Sequence, residues 1–285
     1  MKRSLLPVLL GLVMCSVIHA QVSTGNQRIV IDGVDLQGGV HLPESVKRQL
    51  VSNLLQSEYA ENSNWIGDVE IKVSRAAMEG WPDRENQGYL GFSVGATSRT
   101  LRKELGLLHV LVTIRLDEGQ QKRLKAIGFR YDGTQPTSAR LEPTNLRKLI
   151  PLNDGEVYDR DRFYAGLKAV SRAYQERGFI DLTSNVEMQI DEANQTVTIS
   201  VGLSEGKQYT WGNMRVIGLD PKMEALLKSQ VKTGSPVNPE TIEDFCRDNQ
   251  SLLPLGASPK DVKWERDAEH AIVNLTFDFR APISP

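Results

Sequence analysis

The residues able to do chemistry are few in this chain of 285 and stand apart from one another. Its four histidines, His19, His41, His109 and His270, include no two that are four residues apart, the spacing by which one helix face presents two imidazoles to a metal ion. No phosphate-cradling glycine loop or aspartate-rich calcium loop occurs. The acidic pairs Asp117-Glu118 and Asp191-Glu192 fall at turns, where solvation is the usual purpose of a carboxylate, so neither reads as a general acid–base pair. Trp65, Trp81, Trp211 and Trp264 are spread along the chain and read as packing residues. The sequence therefore calls for no catalytic residue, no metal and no cofactor, and the expectation is a binding module that is not an enzyme.

Composition bounds the partners. Hydrophobic residues make up 40% and charged residues 25%, enough apolar surface for packed cores. A net charge of −2 gives no basic field to attract nucleic acid, so no nucleic-acid partner is expected.

Residues 1–20 have a logic of their own: Lys2-Arg3, an apolar run from Leu5 to Ile18, then Ala20 before polar Gln21 to Gly25. This is the pattern of a secretory signal peptide cleaved near Ala20. The run falls short of the roughly 20 apolar residues that span a bilayer, which sets the cleaved reading above a retained anchor. Lipidation at Cys15 is the other competitor, and the bulky Met14 before it speaks against that. Cleavage leaves Cys246 as the lone thiol, unable to form an internal disulfide. Next to Phe245 and near Ile242, it reads as a small buried hydrophobe.

The elements that would position any site come in repeats. An alternating apolar strand runs into Glu-Gly twice, Val110 to Leu116 before Glu118-Gly119 and Val197 to Leu203 before Glu205-Gly206. Upstream of each, Gln87-Gly88-Tyr89-Leu90-Gly91-Phe92 parallels Arg177-Gly178-Phe179-Ile180-Asp181-Leu182. The offset, roughly 90 residues, is the size of a small domain. The middle unit reads as a strand from Lys122 to Phe129, a short helix after Pro143, and a long helix capped at Asp159 or Asp161. Phe163, Leu167, Val170 and Tyr174 share a face of that helix, and Gly178 ends it. Ile180 to Ile190 and Val197 to Leu203 then alternate as two strands. The order is β-α-α-β-β. The first unit threads the same way, with strands Arg28 to Gly33, Leu90 to Ala96 and Val110 to Leu116, and the third closes on Val262 to Arg266 and Val273 to Phe279.

This order, with YQERGF at Tyr174 to Phe179, Leu152-Asn153-Asp154-Gly155-Glu156-Val157-Tyr158-Asp159, and Glu205 to Tyr209 leading into Val216-Ile217-Gly218, resembles the polypeptide-transport-associated (POTRA) repeat. The expected fold is α+β: three tandem POTRA-like domains at 25–117, 118–204 and 205–280, with a tail at 281–285. Each would be a small three-stranded mixed sheet with two helices on one face. The resemblance implies the periplasmic arm of an outer-membrane assembly or secretion machine, here without the barrel, since only Arg280 to Pro285 follow Phe279. The implied localisation is periplasmic and associated with the outer membrane. The implied partners are an outer-membrane β-barrel protein or assembly component and unfolded outer-membrane protein clients. Capture would proceed by strand addition to the open edge of each sheet, where main-chain groups supply affinity with little regard to sequence. That edge maps to Phe179 to Met188 in the middle unit, with Ile180, Leu182, Thr183, Ser184, Asn185 and Val186 as its candidate binding residues, and to Tyr89 to Ala96 in the first. The plainer reading of these residues is a solvated face guarded by Glu187 and the neighbouring helix. Short junctions at Glu-Gly would restrict the orientation of successive domains.

Two other classes stay open on sequence alone: a membrane-anchored cell-division scaffold, which also carries POTRA-like domains, and an exported hydrolase with an unrecognised site.

Overall fold

The computed structural model describes residues 27–61, 64–132, 140–255 and 257–280. The expected signal peptide and tail lie outside the described residues. No described helix is long and apolar enough to cross a membrane. The chain divides into two compact units, one built from residues up to Met78 together with Val94–Leu116, the other from Glu79–Ser93 and Asp117 onward.

The first unit runs β1 (Arg28–Gly38), α1 (Glu44–Leu55), β2 (Glu58–Ala60), α2 (Trp65–Gly80), β3 (Ser93–Glu104) and β4 (Leu107–Asp117). Its sheet has four strands in the order β2-β1-β4-β3, with β1 parallel to β4 and antiparallel to β2. This departs from the three strands expected. The added β2 is three residues long and exposed at its ends, too short to show a period. The strand β1 also continues past Gly33 to Gly38, because its register against β4 slips by one residue between Ile31 and Gly33. That bulge keeps the apolar set on one face: Ile31, Val34 and Leu36 stand opposite the buried Val110, Val112 and Ile114.

The second unit holds two sheets of one design. The first has β5 (Arg123–Tyr131), α3 (Pro143–Lys148), α4 (Arg160–Gln175), β6 (Thr183–Asp191) and β7 (Thr196–Ser204), ordered β5-β7-β6. The next has β8 (Thr210–Ile217), α5 (Pro221–Gln230), α6 (Glu240–Asp248), β9 (Val262–Asp267) and β10 (Ile272–Asp278), ordered β8-β10-β9. In both, the last strand is central, parallel to the first and antiparallel to the penultimate one. The helix α4 starts where Asp159 accepts from the Arg162 N–H at 2.9 Å, and it stops at Gly178, whose φ of +90° suits glycine. Val197, Ile199, Val201 and Leu203 of β7 pack with Phe163, Val170 and Tyr174 of α4 in one core. Each such side chain contributes about 1.5–3 kcal/mol on burial. The mixed α+β architecture, three small sheets with helices, is the expected one.

Candidate functional site

The strand β6 lies at the edge of its sheet, and backbone parity fixes which of its groups face outward. Arg123 donates its N–H to the Gln195 carbonyl at 3.0 Å and Asp132 donates to the Leu203 carbonyl at 2.9 Å. Odd-numbered β7 residues therefore turn their main-chain groups to β5, and even-numbered ones turn theirs to β6. The antiparallel partners of the even set are Thr183, Asn185, Glu187, Gln189 and Asp191. Ser184, Val186, Met188 and Ile190 are left with N–H and C=O directed away from the sheet. Their side chains share the face of buried Leu203, Val201, Ile199 and Val197, the residues opposite them. Yet Met188 is 40% and Ile190 44% exposed. An edge offering outward main-chain groups beside uncovered apolar side chains is what an added strand needs.

The residues singled out from sequence divide here. Thr183, Ser184, Asn185 and Val186 lie on β6, whereas Ile180 and Leu182 precede it in a turn. Leu182 packs on the core of its own sheet, and Ile180 on the core of the following one. Met188 ends the expected edge and Ile190 lies beyond it, and neither was singled out as a binding residue. Their place in the alternating run was legible, but alternation shows which face a side chain takes and not whether a helix covers it.

The opposite edge is partly closed from within. The turn before α4 pairs with the start of β5: Leu124 donates to the Glu156 carbonyl, Gly155 to the Leu124 carbonyl and Tyr158 to the Lys122 carbonyl. The third sheet repeats this bond for bond, Trp211 to Ser235, Gly234 to Trp211 and Val237 to Tyr209. Gly155 and Gly234 take φ of +85° and +82° to make the turn.

Across the face of the middle sheet away from the helices, Arg130 on β5 spans β7 to reach Glu187 on β6, with contacts of 2.8 and 3.1 Å, and also donates to the Ser200 hydroxyl at 3.0 Å. The hydrogen bonds and charge of Arg130 hold the Glu187 carboxyl below its ordinary range. Glu187 thus ties the edge strand to its own sheet on the face opposite Met188.

The two Glu-Gly junctions share one construction. Lys122 donates its N–H to the Gly88 carbonyl and Tyr209 to the Gly178 carbonyl, both at 2.8 Å. Gln121 and Gln208 bond the carbonyls of Gln87 and Arg177. A methyl group on Gly88 would lie 2.7 Å from the Lys122 oxygen, and one on Gly178 would lie 2.5 Å from the Tyr209 oxygen. Leu90, two residues after Gly88, packs on the middle core, as Ile180 after Gly178 packs on the third. Glu118 and Glu205 are each only 7% exposed, so Glu118, expected at a solvated turn, is instead built into its junction. Glu205 is held there by Arg140 at 3.1 Å.

Among the described residues no three of His, Cys, Asp and Glu are grouped to hold a metal ion. His109, buried on β4, meets Asp32 at 2.8 Å, a contact between residues 77 apart in sequence that no spacing rule reveals. Burial raises the Cys246 thiol above its usual pKa, which disfavours the reactive thiolate.

The edge, the turn before α4 and the glycine that ends it all fall in or beside one matched segment: the POTRA family model, surface antigen variable number repeat, matches residues 130–206. The middle sheet, from the end of β5 through β7, is the part that the POTRA model matches. Over 193 residues, 65% of its length, the chain is 24% identical to a putative outer membrane protein assembly factor of Treponema pallidum (strain Nichols), and that match spans 22% of the relative. Over 121 residues, 42% of its length, it is 24% identical to outer membrane protein assembly factor BamA of Buchnera aphidicola, covering 19% of that protein. The chain thus spans about a fifth of the length of these curated relatives. Among solved structures, POTRA3-5 of Haemophilus influenzae BamA is similar at a TM-score of 0.49 and 17% identity, covering 92% of this chain and all of that one. POTRA1-3 of Omp85 from Anabaena follows at 0.36 and 13%, covering 90% and 97%. The third sheet repeats the strand order of the matched sheet before it, and the first adds β2 to that order.

Proposed function

We propose that this chain is a periplasmic, non-enzymatic scaffold in outer-membrane protein assembly or export, exported by a signal peptide cleaved near Ala20. It holds its partners as added strands. The observation that carries this reading is the edge of β6, where Ser184, Val186, Met188 and Ile190 turn their main-chain groups outward beside exposed apolar side chains. The POTRA match over residues 130–206, and relatives named as outer membrane assembly factors, support the setting.

In this reading residues 25–117, 118–204 and 205–280 are three tandem modules, the first divergent. Affinity comes from main-chain hydrogen bonds, each worth about 0.5–1.5 kcal/mol net, so several are needed and many apolar-alternating clients qualify. An outer-membrane β-barrel protein or assembly component serves as the standing partner, and unfolded outer-membrane proteins as clients. Affinity capture of the mature chain from detergent-solubilised envelope tests it: recovery of barrel proteins or outer-membrane components is expected. Recovery of neither would contradict it.

A further inference from the structure

The first sheet carries a second strand-accepting edge, on β1. The strand β2 covers only Arg28 to Val30 of that edge, and β1 continues to Gly38. Parity again orients the groups. Gly39 donates to the Leu116 carbonyl at 3.2 Å, so Gly39 and, two residues apart behind it, Gln37 and Asp35 turn toward β4. Val34, Leu36 and Gly38 therefore direct N–H and C=O out of the sheet. Their side-chain face is the helix side, opposite buried Val112, Ile114 and Leu116.

Above this edge lies a cavity of about 650 Å³ lined by Leu36, Gly38 and one stripe of α1 from Glu44 to Gln56. The stripe includes Val51 and Leu55, the latter 44% exposed. It is distinct from the stripe that carries the buried Leu50 and Leu54. The helix thus overhangs the sheet edge. At 1.5 Å per residue the 12 residues of α1 run about 18 Å, the length of five or six extended residues. A groove with outward main-chain groups that have no strand partner among the described residues along one wall, and Val51 and Leu55 along the other, fits one occupant in particular, an extended peptide with apolar residues at alternate positions. Such a peptide prolongs the line that β2 begins and sets its helix-side residues against Val51 and Leu55. Lys47 and Arg48 line the same stripe near Glu44, and Lys47 is paired to Glu44 at 2.8 Å. The two cations against one carboxylate favour an acidic residue at that end of the peptide.

We infer that the β1–α1 groove is a second peptide site, taking a segment of about six residues from an unfolded client. This rests on the reading that the chain binds extended peptides, but on a different sheet and different residues.

The test uses the mature chain and a synthetic ten-residue peptide of alternating valine and threonine, ending in aspartate, with a benzophenone side chain at a central valine. Photo-crosslinks are mapped by mass spectrometry. The groove predicts adducts on α1 between Val51 and Gln56 and slowed amide exchange at Val34 and Leu36. Leu55→Glu should cut the α1 adducts about tenfold, Leu55→Met should keep them, and adducts near β6 should be unchanged in both. Adducts confined to β6 would overturn the groove while leaving the β6 reading intact, and adducts at neither edge would overturn both. Should Leu55→Glu unfold the first sheet, the wild-type exchange at Val34 and Leu36 decides, and unchanged exchange overturns the proposal. A peptide-independent dimer abolished by Leu55→Glu would make the occupant a second copy of this chain, and would likewise overturn it.

Discussion

Arg130 and Glu187 join the first and the edge strand of the middle sheet across the central strand, through two contacts of 2.8 and 3.1 Å. Both side chains are about half exposed, so the pair orients β6 more than it stabilises the fold. Glu187→Ala should leave unfolding nearly unchanged while quickening amide exchange along β6, as native-state exchange by mass spectrometry can show.

Acid should loosen both units. Hydrogen bonds and charge lower the carboxyl pKa of Glu187 through Arg130, and that of Asp32 through His109 first, with burial opposing. Since the folded pKa values lie below the unfolded ones, this stabilisation is complete above the ordinary carboxylate range, roughly pH 4, and is lost as pH falls through the lowered values. Thermal midpoints should therefore drop progressively below about pH 4, and less steeply in the Asp32→Asn, Glu187→Gln double variant. A pH-independent midpoint would contradict this.

The junction glycines should tolerate no side chain. Gly178→Ala forces a residue into φ +90° with its methyl 2.5 Å from the Tyr209 carbonyl oxygen. A loss of about 1–3 kcal/mol is expected in urea unfolding. Gly128→Ala, where nothing lies within 4 Å, should cost little.

Cys246 reports on the third sheet. At 5% exposed in that core, it should react with a thiol reagent only as the sheet opens, at a rate that rises with urea. Rapid labelling in native buffer would contradict the packing.

The β-α-α-β-β order was legible because glycines punctuate it and buried strands such as Val197 to Leu203 alternate cleanly. What escaped the sequence had physical reasons. The strand β2 is three residues long and shows no period, and β3 is exposed along most of its length, so only its start was legible, as Leu90 to Ala96 where the strand runs Ser93–Glu104. Glu118 looked like a turn carboxylate because local sequence carries no information about the segments that close over it. The candidate edge was legible only in part: Thr183 to Val186 lie on it, but Ile180 is spent on the next core, and Met188 and Ile190 needed the positions of the helices to stand out.

The claim that partners add as strands to β6 meets its most direct test in the affinity of the mature chain for a peptide from an unfolded β-barrel protein. Ser184→Pro and Met188→Pro each remove one outward N–H without touching the ladder to β7. The account predicts affinity at least about tenfold weaker in both, with the thermal midpoint held and Ser184→Ala behaving as wild type. Equal affinity in folded proline variants would contradict it.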